Sequence, residues 1–244
     1  MRTIQFLIFF SIVLTILGLV NYYIGIHGWQ ALPAGTVSRG VYIAVIAFCA
    51  SCGIVCLIVL AGFVNAQIQK VTTLDLRVHK KVEGFKTLNI AAASDLHLGT
   101  LVGVRRVRAV AEIMRKLNPD IILFAGDILD EDMAPAVCKN ICGGMENVRP
   151  RFGFFTVPGN HEHYGGMQRA LAYLTEHRIT VLRDEVVKID DLFYIVGRED
   201  PGHGGSPENR RKPLKELLAG VEPTKPIVLL DSRPEIVNIR LTFD

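Results

Sequence analysis

The chain has 244 residues, half of them hydrophobic, and a formal net charge of +3. The length fits one ordinary domain plus an additional segment, and a mean hydropathy of +0.31 is high for a wholly soluble protein. So small a charge excess argues for no nucleic-acid partner, and five cysteines supply no disulfide framework.

Two uncharged runs, residues 4–24 and 41–64, open the chain. Each reaches the roughly 20 residues needed to cross a hydrocarbon core. A short polar stretch with Trp29, Pro33, Gly35 and Arg39 separates them, and Tyr22, Tyr23, Trp29 and Tyr42 sit near the run ends, where aromatic belts form. The expectation is a transmembrane helical hairpin over residues 1–66. The length of the first run and the presence of a second argue against a cleaved signal peptide. Arg39 is the one charge in the hairpin loop, whereas Lys70, Arg77, Lys80, Lys81 and Lys86 follow the second run. The positive-inside rule then predicts a multi-pass protein of the cell membrane with both termini cytoplasmic. Cys49, Cys52 and Cys56 read as small side chains of the second span.

Residues 67–244 read as one α/β domain. "TLDLRV" alternates like a half-exposed strand, and "KTLNIAAAS" is a second strand that ends at Asp95. Residues 103–117 place Val104, Val107, Ala111 and Met114 on one helical face, stopped by Asn118-Pro119. "IILFA" is a buried strand, and a helix over 133–142 would set Cys138 and Cys142 four apart. Those free thiols fit a reducing compartment, with no neighbouring Cys or His pair to suggest zinc. "FGFFTV" is a strand, 167–177 a helix, and "VVKID" and "LFYIVG" are strands joined by a tight Asp-Asp turn. A polar loop containing His203 and Arg210, Arg211 and Lys212 leads to a short helix at 214–219 and the strand "PIVLL".

Three buried strands end in Gly-bearing loops with acidic or imidazole groups: "SDLHLG", "GDILD" and "PGNHE". In layered α/β folds the ligand site lies at such strand ends. Asp95 and His97 are two apart, so an extended segment would point both at one cation. Carboxylate, imidazole and amide oxygen together suit manganese, iron or zinc. A carboxylate such as Asp127 can bridge two cations about 3.5–4 Å apart, an arrangement that activates water for in-line displacement. Each motif alone is an ordinary turn or cap. Their joint order after apolar strands points to a metal site.

The ordered set "SDLHLG", "GDILD" and "PGNHEHYGG" resembles the calcineurin-like metallophosphoesterase superfamily, and the apolar runs with "VGRED" and "VLLD" resemble its bacterial membrane-anchored branch. The resemblance implies a sandwich of two mixed sheets flanked by helices, and hydrolysis of phosphomonoesters or phosphodiesters with two divalent metals. It implies that Asp95 and His97 bind the first metal, that Asp127 bridges both, and that Asn160 gives its amide oxygen to the second. A bridging hydroxide would be the nucleophile. His161 would protonate the leaving oxygen, Asp130 would accept a hydrogen bond from His161 and orient it, and Glu162 and His163 would stand either behind the ligands or at the rim.

Two departures stand out. Ser232, in "DSRPE", occupies the place where the family pattern has a histidine, and a Gly-His-x-His loop that would supply two more is not in the chain. The expectation is therefore a domain incomplete at its C-terminus, from a reading frame broken after about residue 231, with a weak second metal site. Residues 236–243 would form a substitute edge strand. The functional expectation is a membrane-anchored, metal-dependent phosphoesterase acting on a small or lipid-linked phosphoester. The alternative is a catalytically inactive membrane-anchored remnant or binding module.

Overall fold

The computed structural model describes Gly18 and residues 34–80, 82–201 and 211–233. The first apolar run, apart from Gly18, lies outside these residues, as do Lys81, His203, Arg210 and residues 236–243. The chain divides into two units, Met1–Leu74 and Asp75–Asp244.

In the first unit one helix, α1 (Ala34–Gln67), holds the second apolar run. Its stretch Val45–Gln67 is long and apolar enough to cross a membrane, and none of it is buried. Ile46, Leu57 and Phe63 stand more than half exposed, so the helix presents an apolar surface. Ser51 returns its hydroxyl to the Ala47 carbonyl at 2.7 Å, which satisfies it within the helix.

The second unit begins without a strand. "TLDLRV" is irregular, with Leu74 and Leu76 strongly exposed. Among the described residues its alternation meets no partner strand, and alternation alone does not make a ladder. The order is then β1 (Ile90–Ala93), α2 (Val104–Leu117), β2 (Ile121–Phe124), α3 (Ala134–Cys138), a 3₁₀ turn (Ile141–Met145), β3 (Phe154–Thr156), α4 (Asn160–Gly165), α5 (Met167–Glu176), β4 (Ile179–Val181), β5 (Glu185–Ile189), β6 (Phe193–Gly197), α6 (Leu214–Leu217) and β7 (Ile227–Leu230). The helix expected over 133–142 breaks at Asn140, which adopts φ 44°. Cys138 is thereby exposed and Cys142 buried, on different elements. The sequence reading missed β4, whose three residues are too few to show a period.

β1 to β4 form one sheet in that order, parallel throughout. The resemblance implies a mixed sheet here. Among the described residues every connection within it passes through a helix, which returns the chain in the same direction. β5, β6 and β7 form the second sheet, with β5 antiparallel to β6 and β6 parallel to β7. At the β5–β6 turn Asp190 and Asp191 both take positive φ, and the Leu192 N–H closes on the Ile189 carbonyl at 2.7 Å. Asp and Asn carry this turn because they tolerate the left-handed region.

β2 is buried at all four residues and shows why the domain is layered. Ile122 and Phe124 pack with Val107, Ala111 and Met114 of α2 and with Tyr173 and Leu174 of α5. Ile121 and Leu123 pack with Phe155, Ile189, Phe193, Ile195 and Leu230. Alternate side chains thus feed two cores, one against the helices and one between the sheets. Both faces are covered, so the loops at the carboxyl ends of the strands are where polar groups can gather.

Candidate metal centre

The loops after β1 and β2 remain paired beyond the strands. Asp95 N–H donates to Gly126 O at 3.2 Å, His97 N–H to Asp127 O at 3.0 Å, Leu98 N–H to Ile128 O at 2.8 Å, and Asp130 N–H to Leu98 O at 3.1 Å. The ladder keeps "SDLHLG" and "GDILD" side by side. Within it Asp95, His97 and Asp127 take φ of 53°, 45° and 51°. The expected extended i, i+2 geometry is therefore not what aims Asp95 and His97. Left-handed backbone aims them, a conformation that is unfavourable for residues with a Cβ and that gathers at functional sites.

The result is convergence. The ligand atoms of Asp95, His97 and Asp127 all lie within 4.8 Å of one another, and His97 Nε2 stands 4.0 Å from Asp95 Oδ1. Two carboxylates and an imidazole at that spacing fit one divalent cation, with solvent completing its shell. Asn160 opens α4 beside His161, and the His161 N–H binds Asp127 Oδ1 at 2.9 Å, which brings the third motif to the same carboxylate. His161 Nδ1 lies 3.3 Å from Asp130 Oδ1. That nitrogen is buried without an aligned hydrogen bond, so the two groups are neighbours at ion-pair distance and the expected hydrogen bond is not formed. The His97 and His161 rings meet edge to face at 4.3 Å between centroids.

Of the two places open to Glu162, the structure gives it the one behind the ligands: it is among the most buried polar residues, 2% exposed. Its Oε2 accepts Gly159 N–H at 2.8 Å and Asp127 N–H at 3.2 Å, and its Oε1 accepts Leu129 N–H at 2.9 Å. One carboxylate thus fastens "GDILD" to "PGNHE". Burial pushes its pKa up against the pull of these backbone donors. The sequence signal was a Glu at the third position of a helix whose N-terminal cap is Gly159, the reach-back half of a capping box. Gly159 has no room for a side chain, because a Cβ there would lie 2.3 Å from Asp127 Oδ1 and 2.6 Å from Asp127 N.

The second sheet closes the site from its own strand ends. A Cβ on Gly126 (φ +88°) would fall 2.7 Å from Ser232 Cβ. Ser232 Oγ donates to Asp200 Oδ2 at 3.1 Å, and Asp200 is fully buried. Arg233 Nε approaches the same oxygen at 3.1 Å. Asp231 pairs with Arg198 and Arg211, while Glu199 holds Arg183 and the His163 ring. Arg211 also donates to Glu199 O at 2.8 Å and is committed to this network. Lys212 is fixed through its backbone N–H to Asp184 at 2.7 Å. His163 ties α4 to the second sheet by its 3.1 Å contact with Glu199. A separate cleft lined by Asn140, Met145, Arg149, Phe154, His177 and Ile179 lies at the opposite, amino ends of β3 and β4, away from the metal-competent residues.

The profile described as Calcineurin-like phosphoesterase matches residues 88–240, more than half of the chain. An uncharacterized metallophosphoesterase of Aquifex aeolicus is 32% identical over 152 residues, which cover 61% of this chain and 56% of that one. A bovine transmembrane protein with metallophosphoesterase domain is 29% identical over 192 residues, covering 71% of this chain and 41% of that one. The chain thus spans from two fifths to just over half the length of these curated relatives. Among solved structures, the Pseudomonas putida nuclease MPE matches at a TM-score of 0.32 and 16% identity, covering 57% of this chain and 59% of that one, a likeness too slight to carry an argument.

Proposed function

Because this chain belongs to the calcineurin-like phosphoesterase family, we propose that it is a metal-dependent phosphoesterase whose centre is built on Asp95, His97, Asp127 and Asn160. The observation that carries the reading is the convergence of the first three to within 4.8 Å, with His161 poised beside them. Bound there, divalent metal would activate water and neutralise charge on the phosphoryl oxygens. Asp95 and Asp127 supply the negative charge that holds cations, and His97 supplies a nitrogen ligand. His161 gives a proton to the leaving oxygen, general-acid work suited to imidazole near neutral pH. Asp130 Oδ1 stands 3.3 Å from its Nδ1, placed to orient the ring. Manganese, iron and zinc all suit the donor set, and phosphomonoesters and phosphodiesters are both candidate substrates.

α1 supports a membrane anchor, as does the likeness to a transmembrane relative. The lysines and arginines after residue 67 favour a cytoplasmic catalytic domain. An anchored site close to headgroups suits a lipid-linked phosphoester. The decisive experiment assays the purified chain with manganese on aryl phosphomonoesters and phosphodiesters. Turnover that disappears in Asp127→Asn and His161→Ala supports the reading. Turnover indifferent to both removes the site assignment.

One observation favours a second reading, a binding module without activity. Ser232 occupies the position that the family pattern gives to histidine, and its hydroxyl is engaged by buried Asp200. Metal analysis separates the readings: close to two equivalents per chain indicates the enzyme, and none indicates the module.

A further inference from the structure

His97 belongs to two convergent sets. Besides the group with Asp95 and Asp127, the ligand atoms of His97, Asp130 and His161 also lie within 4.8 Å of one another. The two sets differ in chemistry. The first has two carboxylates and one imidazole, a hard oxygen-rich set. The second has two imidazoles and one carboxylate, which binds zinc in tetrahedral sites with an open fourth position. Zinc also stands well above manganese in affinity for nitrogen-containing sites.

A second observation points to the same place. His161 Nδ1 is a buried polar atom without a hydrogen-bond partner, although Asp130 Oδ1 lies only 3.3 Å from it. Asp130 Oδ1 instead accepts the Glu131 N–H at 2.9 Å. The side chains of His97, Asp130 and His161 are 34%, 34% and 25% exposed, so an ion can enter and a water can fill its last position.

We propose that His97, Asp130 and His161 form an inhibitory zinc site that competes with the Asp95–His97–Asp127 centre for His97. The word inhibitory rests on the phosphoesterase reading: zinc held by His97 and His161 takes a ligand from the Asp95–His97–Asp127 centre and fixes the ring that the reaction needs. Zinc binding itself does not depend on that reading.

The test uses the full chain in detergent micelles and zinc chloride alone, followed by calorimetry, with cobalt(II) absorption as the spectroscopic stand-in. Wild type, Asp95→Asn, Asp130→Asn and His161→Gln are compared, each after a thermal melt. The expected result is zinc binding that survives Asp95→Asn and weakens at least about tenfold in Asp130→Asn and His161→Gln, as loss of a ligand should do when outer-shell partners alone are worth 10–100-fold. Zinc added to manganese-loaded protein should release manganese, seen as free ion by electron paramagnetic resonance. Zinc affinity unchanged in both Asp130→Asn and His161→Gln overturns the proposal, and so does zinc binding abolished only by Asp95→Asn. If either of the pair does not fold, the other decides. Absence of phosphoester turnover alongside the expected binding pattern removes the phosphoesterase reading and leaves the zinc site standing.

Discussion

Glu162 Oε1 accepts the Leu129 N–H at 2.9 Å across 33 residues of chain, while Oε2 of the same carboxylate holds the N–H groups of Gly159 and Asp127. Three backbone donors, two of them in buried hydrogen bonds, therefore depend on one side chain. Replacing Glu162 with Gln turns an NH₂ group toward at least one of them. An orphaned buried donor costs about 1–3 kcal/mol, so thermal or urea unfolding of Glu162→Gln should show a loss of that order. Because the carboxylate also fixes the Asp127 backbone, manganese affinity should fall about 10–100-fold, the range for partners that orient metal ligands. A melt and a metal titration equal to wild type would reject this role.

Gly159 makes a separate prediction. Its Cβ would overlap the backbone nitrogen of Asp127, and backbone cannot swing aside as a flexible side-chain tip can. Gly159→Ala should destabilise the domain by about 1–3 kcal/mol, the usual cost of overpacking, and shift Asp127. Manganese titration should show weakened binding, whereas Gly103→Ala, at an open position, should leave manganese affinity at the wild-type value.

Asp127 and His161 should separate binding from chemistry. Asp127→Asn removes a carboxylate from the metal-competent set and should lose both manganese and turnover. His161→Ala should keep manganese and lose about 10²–10⁴ in turnover, the span typical of general acid–base catalysis. Parallel metal analysis and rate measurements check this. Coincident loss of manganese in both variants would place His161 among the manganese ligands.

The cysteines offer a test of the helix break at Asn140. Burial pushes the Cys142 thiol up to about 12, so at pH 8 it is protonated and a poor nucleophile. Cys138 is exposed. Iodoacetamide at pH 8 on the native chain should modify Cys138 and spare Cys142, with both modified after unfolding, as mass spectrometry of the peptides would read. Equal native labelling would contradict the break.

The strands that carry the site were legible because each is an apolar run closed by a Gly-bearing polar loop. α2 was legible from its Val107, Ala111 and Met114 stripe and its Asn118-Pro119 stop. "TLDLRV" misled because alternation records the possibility of pairing and not the presence of a partner. β4 was missed for brevity, and the 133–142 helix was overextended because nothing in its composition announces a left-handed Asn140.

The sequence by itself determined which residue types stand at the strand ends, and in what order, since hydrophobic periodicity and turn residues are local properties. It therefore announced a metal-competent constellation. Only the tertiary structure decided how the groups meet: Asp95 and His97 by left-handed backbone and not by an extended strand, Glu162 as a buried fastener behind Asp127, His97 shared between two sets of ligands. Those outcomes depend on hydrogen bonds and steric contacts between segments some 30 residues apart, and no local pattern encodes the distance across which such segments fold together.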